Sequence, residues 1–203
     1  MELIFRILLL TLFIGFIAHR GYYTRKMGRP AEDTVKARDE KSTPLIANLL
    51  SLPAFLGTIL YIFYPKWMAW ASLPLPAWLR WAGVGLALLG FLLLQWAQQA
   101  LGRNWSDIPR LLKEHSLVTS GPYRWVRHPL YTAFLLIMSA TLFISANWFI
   151  GLTWIAMTFL EVMSRINSEE GMMLEQFGEA YRVYSQGTGR LFPRPTRAEK
   201  DKA

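Results

Sequence analysis

Five long apolar stretches constrain this 203-residue chain more than any other feature. They cover residues 3–18, 45–64, 82–101, 130–146 and 148–164. A bilayer's hydrocarbon core takes about 20 helical residues, with about 17 as a working minimum. The second and third stretches meet that length, and the others lie at its short end. Backbone in lipid must satisfy its own hydrogen bonds, so each stretch is expected to be a helix. The expected fold is therefore all-α: a polytopic membrane protein with about five transmembrane helices. The first stretch reads as a retained span and not a cleaved signal, because Gly15, Phe16 and Ile17 run into His19, Arg20 and a tyrosine pair with no small-x-small site. Only Asn147 separates the last two stretches, so they are expected to form a tight hairpin followed by a cytoplasmic helical segment.

Charge then sets the orientation. The chain is 53% apolar and 18% charged, yet it carries 22 Lys and Arg against 14 Asp and Glu, a formal charge of +8. A nucleic-acid binder would display that surplus on a polar soluble domain, and no nucleic-acid partner is expected here. Seven basic residues follow the first stretch, five lie between the third and fourth, and seven follow the fifth: 19 of the 22 share one side of an alternating topology. Arg6, Lys66 and Arg80 are the exceptions. The positive-inside rule thus puts the N-terminus outside and the C-terminus in the cytoplasm, where the basic loops meet anionic lipid headgroups. Between residues 65 and 81, Trp67, Trp70, Trp78 and Trp81 lie among three prolines, as expected of an outer interfacial loop. Residues 29–41 alternate in charge and suggest a solvated loop or an interfacial helix. The chain has no cysteine, which excludes disulfides, thiol nucleophiles, cysteine zinc sites and iron–sulfur clusters.

Polar groups near span ends are the candidates for chemistry. Gln95, Gln98 and Gln99 share one face near the end of the third stretch, where interhelical hydrogen bonding and ligand contact are both open readings. Glu161, Arg165 and Glu169, spaced four apart, form either a salt-bridge ladder or part of a site. The densest cluster is Tyr123, Arg124, Trp125, Arg127, His128 and Tyr131, around a Gly121-Pro122 turn and a His128-Pro129 helix start. A helix N-terminus and cations attract carboxylates, and aromatic faces attract soft cations such as a sulfonium. Interfacial anchoring would use the same residue types.

Two blocks carry a resemblance. Gly121-Pro122-Tyr123 with Arg127-His128-Pro129-Leu130-Tyr131 is the first. Arg165, Glu169-Glu170, Leu174, Phe177-Gly178, Tyr181, Tyr184 and Arg190-Leu191-Phe192-Pro193 form the second. Together with the Asn104-Trp105-Ser106 approach, they closely resemble the signature of the isoprenylcysteine carboxyl methyltransferases and their prokaryotic relatives. The resemblance implies an integral-membrane methyltransferase using S-adenosyl-L-methionine without a Rossmann domain. By the family pattern His115, Ser116, Leu117 and Val118 line the adenosine side, largely through backbone. Tyr123, His128, Pro129, Leu130 and Tyr131 hold the cofactor, Glu169 receives one of its polar groups, and Arg165 faces the methyl acceptor. No metal is expected. Residues 1–101 are then three supporting membrane helices, and residues 102–203 the methyltransferase core. The glycines of Gly83-Val84-Gly85 and Gly90 lie in a span without a strand or acidic partner, and read as helix packing.

The expected activity is carboxyl O-methylation of a lipophilic or lipidated acceptor. Thiol S-methylation or methylation of a phospholipid amine is the alternative within the class. An NADPH-dependent membrane reductase and a non-catalytic membrane protein or transporter are the rivals outside it. Transport sites sit at mid-membrane, whereas the polar residues here collect at one face.

Overall fold

A computed structural model describes residues 1–27, 34–37, 45–104, 110–112 and 116–194. Five apolar helices fall on the five stretches: α1 (Glu2–Met27), α2 (Leu45–Phe63), α3 (Ala77–Leu101), α4 (Pro129–Ser145) and α5 (Trp148–Gly187). Four are long and apolar enough to cross a membrane, while α4, at 17 residues, is shorter. The ends differ from expectation because hydropathy reports bilayer thickness, whereas a helix runs on until its backbone is stopped. α1 continues nine residues past residue 18, and α5 extends 23 residues past residue 164. At 1.5 Å per residue, the 40 residues of α5 reach about 60 Å, twice the hydrocarbon thickness. Its second half therefore lies outside the bilayer. Gly178 bends this extension, with φ 52° and ψ −121°, a conformation that a residue with a Cβ rarely adopts.

Between helices, small residues set the approach. Lipid tails are as apolar as the helices, so association rests on close packing more than on hydrophobic transfer. α4 lies between α3 and α5, α2 packs on α5, and α1 touches α2, α3 and α4. A Cβ added to Gly83 would lie 2.5 Å from Phe143 Cβ, and one on Gly90 would lie 2.6 Å from Ile137 Cγ1. These two glycines pack as expected, whereas a Cβ on Gly85 would meet nothing within 4 Å. Leu88, Leu89 and Leu92 of α3, like Leu49 and Leu52 of α2, stay exposed as lipid-facing side chains. The α4–α5 hairpin closes in two residues. Ala146 takes a left-handed conformation, and Asn147 caps α5 by accepting from Ile150 N at 3.1 Å while donating to Met68 O at 3.0 Å. Gly151 lets α5 press directly on Leu142 of α4.

We call the end where α3 finishes and α4 begins the site end, and the opposite end the far end. At the far end, two of the three exceptional cations are structural. The buried Arg80 guanidinium pairs with Glu2 at 2.6 Å, donates to Ile144 O at 2.8 Å and to the Tyr61 hydroxyl at 3.1 Å. Arg6 donates to Ile62 O at 2.7 Å. Both arginines thus satisfy carbonyls at helix C-termini, where a cation also meets the negative end of the dipole. Trp67, Trp70, Trp78 and Trp81 are all exposed in and beside this end's 3-10 segment, Pro65–Ala71.

At the site end, two loops pair as a short antiparallel ribbon, β1 (Thr34–Ala37) with β2 (Arg110–Leu112). This corrects the loop-or-helix expectation for the described part of residues 29–41. The rest of that stretch lies outside the described residues. A four-residue strand in a charge-alternating segment has no periodicity to reveal it, and its partner lies more than 70 residues away.

Replacing Gly90 with Leu should destabilise the α3–α4 interface by roughly 2 kcal/mol through overpacking. Gly85→Ala should be neutral or slightly stabilising. Thermal unfolding in detergent compares the two, and equal effects would contradict the packing assignment.

Candidate active site

The site end is organised by where α5 goes after it leaves the bilayer. Its extension folds back so that residues 187–191 run beside the segment preceding α4. Arg127 N donates to Gly189 O at 2.8 Å, His128 N to Arg190 O at 3.0 Å, and Gly189 N to Trp125 O at 3.2 Å. The Thr132 hydroxyl adds a bond to Leu191 O at 2.7 Å, and the Tyr184 hydroxyl one to Tyr123 O at 2.7 Å. The 3-10 turn Gly121–Arg124 is held against the end of α3. Gly121 has φ 59°, and a Cβ there would come within 3.1 Å of Ala100 Cβ. Proline at position 129 opens α4 directly after His128, suiting a position whose N–H would have no helical partner.

His128, 9% exposed, is the centre of the arrangement. Its Nδ1 lies 3.4 Å from Glu169 Oε2 and its Nε2 3.4 Å from Glu170 Oε1. Adjacent residues of a helix point about 100° apart, so two neighbouring glutamates can face the imidazole from different sides. Burial disfavours the imidazolium, but bonds and charge from Glu169 and Glu170 outweigh it, raising the pKa above the ordinary 6.5. Glu170 is also held by Arg127 Nε at 2.8 Å and by Arg190 Nη2 at 2.7 Å. Burial opposes ionisation of Glu170, yet His128, Arg127 and Arg190 together hold its pKa down to about 2. Arg127 itself donates to Ser185 O at 2.8 Å and to Thr188 O.

Glu169 faces the other way. It accepts a hydrogen bond from the Tyr131 hydroxyl, and the Tyr131 ring stacks on His128 at a centroid distance of 5.6 Å. Arg165, one turn earlier on α5, pairs with Glu161 at 2.5 Å, and its charge also acts on the Tyr131 hydroxyl. The expected ladder is therefore half present: Glu161 joins Arg165, while Glu169 turns toward Tyr131 and His128. Arg165 and Glu169 remain partly accessible. An apolar wall of Val162, Ile166, Met163, Phe134 and Leu191 surrounds Tyr131.

Of the candidate residues, the fold brings together His128, Tyr131, Glu169 and Arg165, flanked by the buried Pro129 and half-buried Leu130. Tyr123 is buried beside them, and burial, reinforced by the Glu169 charge, pushes its phenol well above the usual range. Ser116 donates its N–H to Asn104 Oδ1 at 3.1 Å and accepts from Asn104 Nδ2 at 3.0 Å, tying it to the end of α3. Leu117 and Val118 are half-buried. His115, Trp105 and Ser106 lie outside the described residues. The sequence places Arg127 in the cation–aromatic cluster and Glu170 and Arg190 in the second motif block, but assigns none of them a contact.

Comparisons with known proteins agree with this region. A profile of the isoprenylcysteine carboxyl methyltransferase (ICMT) family matches residues 83–175. The chain is similar to the protein-S-isoprenylcysteine O-methyltransferases of Dictyostelium discoideum, at 28% identity over 66% of this chain and 58% of that protein, and of Schizosaccharomyces pombe, at 27% over 71% and 56%. A solved structure of the eukaryotic intramembrane Ras methyltransferase ICMT superposes with a TM-score of 0.58 at 27% identity. It covers 72% of this chain and 51% of that one. The chain thus spans little more than half the length of these relatives. The resemblance carried by the two motif blocks is borne out, and the bundle is that of an integral-membrane protein.

Glu170→Gln should cost about 3 kcal/mol at neutral pH, because Arg127 loses its buried counter-charge. Glu170 contributes stability above pH about 4.5 that fades as the pH falls toward about 2, so the variant's deficit should shrink over that window. His128 contributes in the opposite sense. Its share is present below pH about 6.5 and is lost as the pH rises through the raised folded value. Denaturation across pH, with NMR titration of the imidazole, measures both. A pH-independent deficit would contradict the cluster.

Proposed function

We propose that this protein is an S-adenosyl-L-methionine-dependent methyltransferase of the isoprenylcysteine carboxyl type, methylating a lipophilic carboxylate at the membrane interface. The observation carrying this reading is the convergence of His128, Tyr131, Glu169 and Arg165 where α5 leaves the bilayer, inside the region matching the family. The donor set suits the cofactor. Glu169 is a partly open carboxylate for an ammonium, and the stacked His128 and Tyr131 rings, with Tyr123, offer faces to a soft cation. Residues 115–118 and 128–131 would hold the cofactor, which supplies a methyl group already activated on a sulfonium.

What the chain contributes is position and dryness. Tyr131 orients Glu169 by donating to it, and Glu170 holds His128 so that its ring cannot turn. With a carboxylate at each nitrogen, His128 serves as a fixed element and not as a base. An acceptor carboxylate needs no base. Arg165 offers it a permanently charged partner with bidentate geometry, held in place by Glu161 and Tyr131. Val162 and Met163, which precede Arg165 on α5, and Phe134 of α4 extend the apolar wall around Tyr131 toward the bilayer, which suits an acceptor carrying a lipid tail. Chemistry then belongs to residues 102–203, supported by the helices of 1–101. The N-terminus lies outside, and the site faces the cytoplasm.

Purified protein with radiolabelled S-adenosylmethionine should methylate a prenylcysteine in preference to thiol or lipid-amine acceptors. Arg165→Ala should lower turnover about 100-fold or more while cofactor binding survives. Lost cofactor binding would move Arg165 into the cofactor pocket, and no transfer by the native protein would sink the reading. Because the chain lacks cysteine, single-cysteine variants report the orientation cleanly. Ser72→Cys should be labelled from outside intact cells, and Ser120→Cys only after permeabilisation.

A further inference from the structure

The three glutamines of α3 have three different fates. Gln95 Oε1 pairs with His19 Nε2 of α1 at 3.0 Å, Gln99 is exposed, and Gln98 is buried at 3% exposure. Among the described residues, Gln98 Oε1 is the one buried side-chain polar atom without a hydrogen-bond partner. A buried carbonyl oxygen left unpaired is destabilising, and native folds keep few of them.

The helix register shows where this oxygen lies. α3 and α4 run antiparallel, with Gly83 against Phe143 and Gly90 against Ile137. Seven residues along α3 thus correspond to six back along α4. Eight residues beyond Gly90, Gln98 comes level with about Leu130, in the first turn of α4 and close to His128. Trp96 and Ala100 both lie within 3.4 Å of a Cβ built on Gly121, so this part of α3 stands beside the turn that precedes α4, with Gln98 between them in height and on the other face of α3. Gln98 is therefore in the layer of the His128–Glu169 cluster, reached from the opposite helix. Pro129 has no N–H, and the His128 N–H is already given to Arg190 O.

We infer that Gln98 is a cofactor-binding residue whose side-chain carbonyl accepts a hydrogen bond from an N–H of the bound methyl donor, either its amino-acid ammonium or its adenine amine. The inference rests on the methyltransferase reading above. It makes α3 one wall of the cofactor pocket and accounts for a polar atom that the fold itself leaves unsatisfied.

Gln98→Met keeps the volume and removes the carbonyl. The expected result is a pair of opposite changes. The ligand-free variant unfolds at the same or a higher temperature, because an unsatisfied group is gone. Its affinity for S-adenosylhomocysteine falls about tenfold, the loss of one hydrogen bond in a dry site, and the ligand-induced thermal shift shrinks with it. The same measurement with 5′-methylthioadenosine, which lacks the amino-acid portion, distinguishes the two donors. An equal loss assigns the adenine amine, and no loss there assigns the ammonium. Native-like S-adenosylhomocysteine affinity in the variant overturns the inference alone. Failure of the native protein to bind S-adenosylhomocysteine overturns the proposed function together with it.

Discussion

The site depends on one ionised carboxylate. Glu170 draws Arg127, His128 and Arg190 onto itself, and those three side chains come from two segments more than 60 residues apart in the chain. Without that charge, the extension of α5 would have no electrostatic reason to return to the start of α4. The backbone bonds of residues 125–128 to 189–190 would then be left to close the loop with only the neutral bonds of Thr132 and Tyr184 and those of Arg127 to Ser185 O and Thr188 O. Removing a charge from such a cluster costs more than forming the cluster gains, because the partners are already desolvated. The network also explains the division of labour between two adjacent glutamates. Glu170 is consumed by structure, which leaves Glu169 partly open and oriented by Tyr131.

The far end solves a related problem with a different set. Arg80 and Arg6 reach the last carbonyls of α4 and α2, and Glu2 with Tyr61 completes the arrangement. Between the two polar ends, the bundle is held by close approach at Gly83, Gly90 and Gly151. Rigid polar ends and a tight apolar middle suit a site that must be fixed at one membrane face while lipid surrounds the rest. Gln98 is the exception to this pattern of satisfaction, and it occurs in the layer where the candidate chemistry is found.

Much of the fold was legible because hydropathy is a local property. The five helices, the Asn147 turn and the packing glycines Gly83 and Gly90 follow from runs and spacings of a few residues. Helix ends were less legible, since nothing in α1 or α5 stops the backbone where the apolar run stops. The β1–β2 ribbon and the capping roles of Arg6 and Arg80 were invisible, because each depends on a partner tens of residues distant. In the site, the motif blocks pointed to His128, Tyr131, Glu169 and Arg165. Arg127 and Glu170 stand in the same blocks, but their pairing was not legible, because a sequence does not say which of two neighbouring charges turns inward.

By itself, then, the sequence determined the solvent, the number of apolar helices and the short segments that hold polar chemistry, since each is written in the composition of a contiguous stretch. Only the tertiary structure decided the pairing of those segments. It separated Glu169 from Glu170, gave Gln95 a partner and left Gln98 without one, and turned surplus arginines into helix caps. The physical reason is that burial and hydrogen bonding depend on what another helix presents at the same height, and that register exists only once the helices have packed.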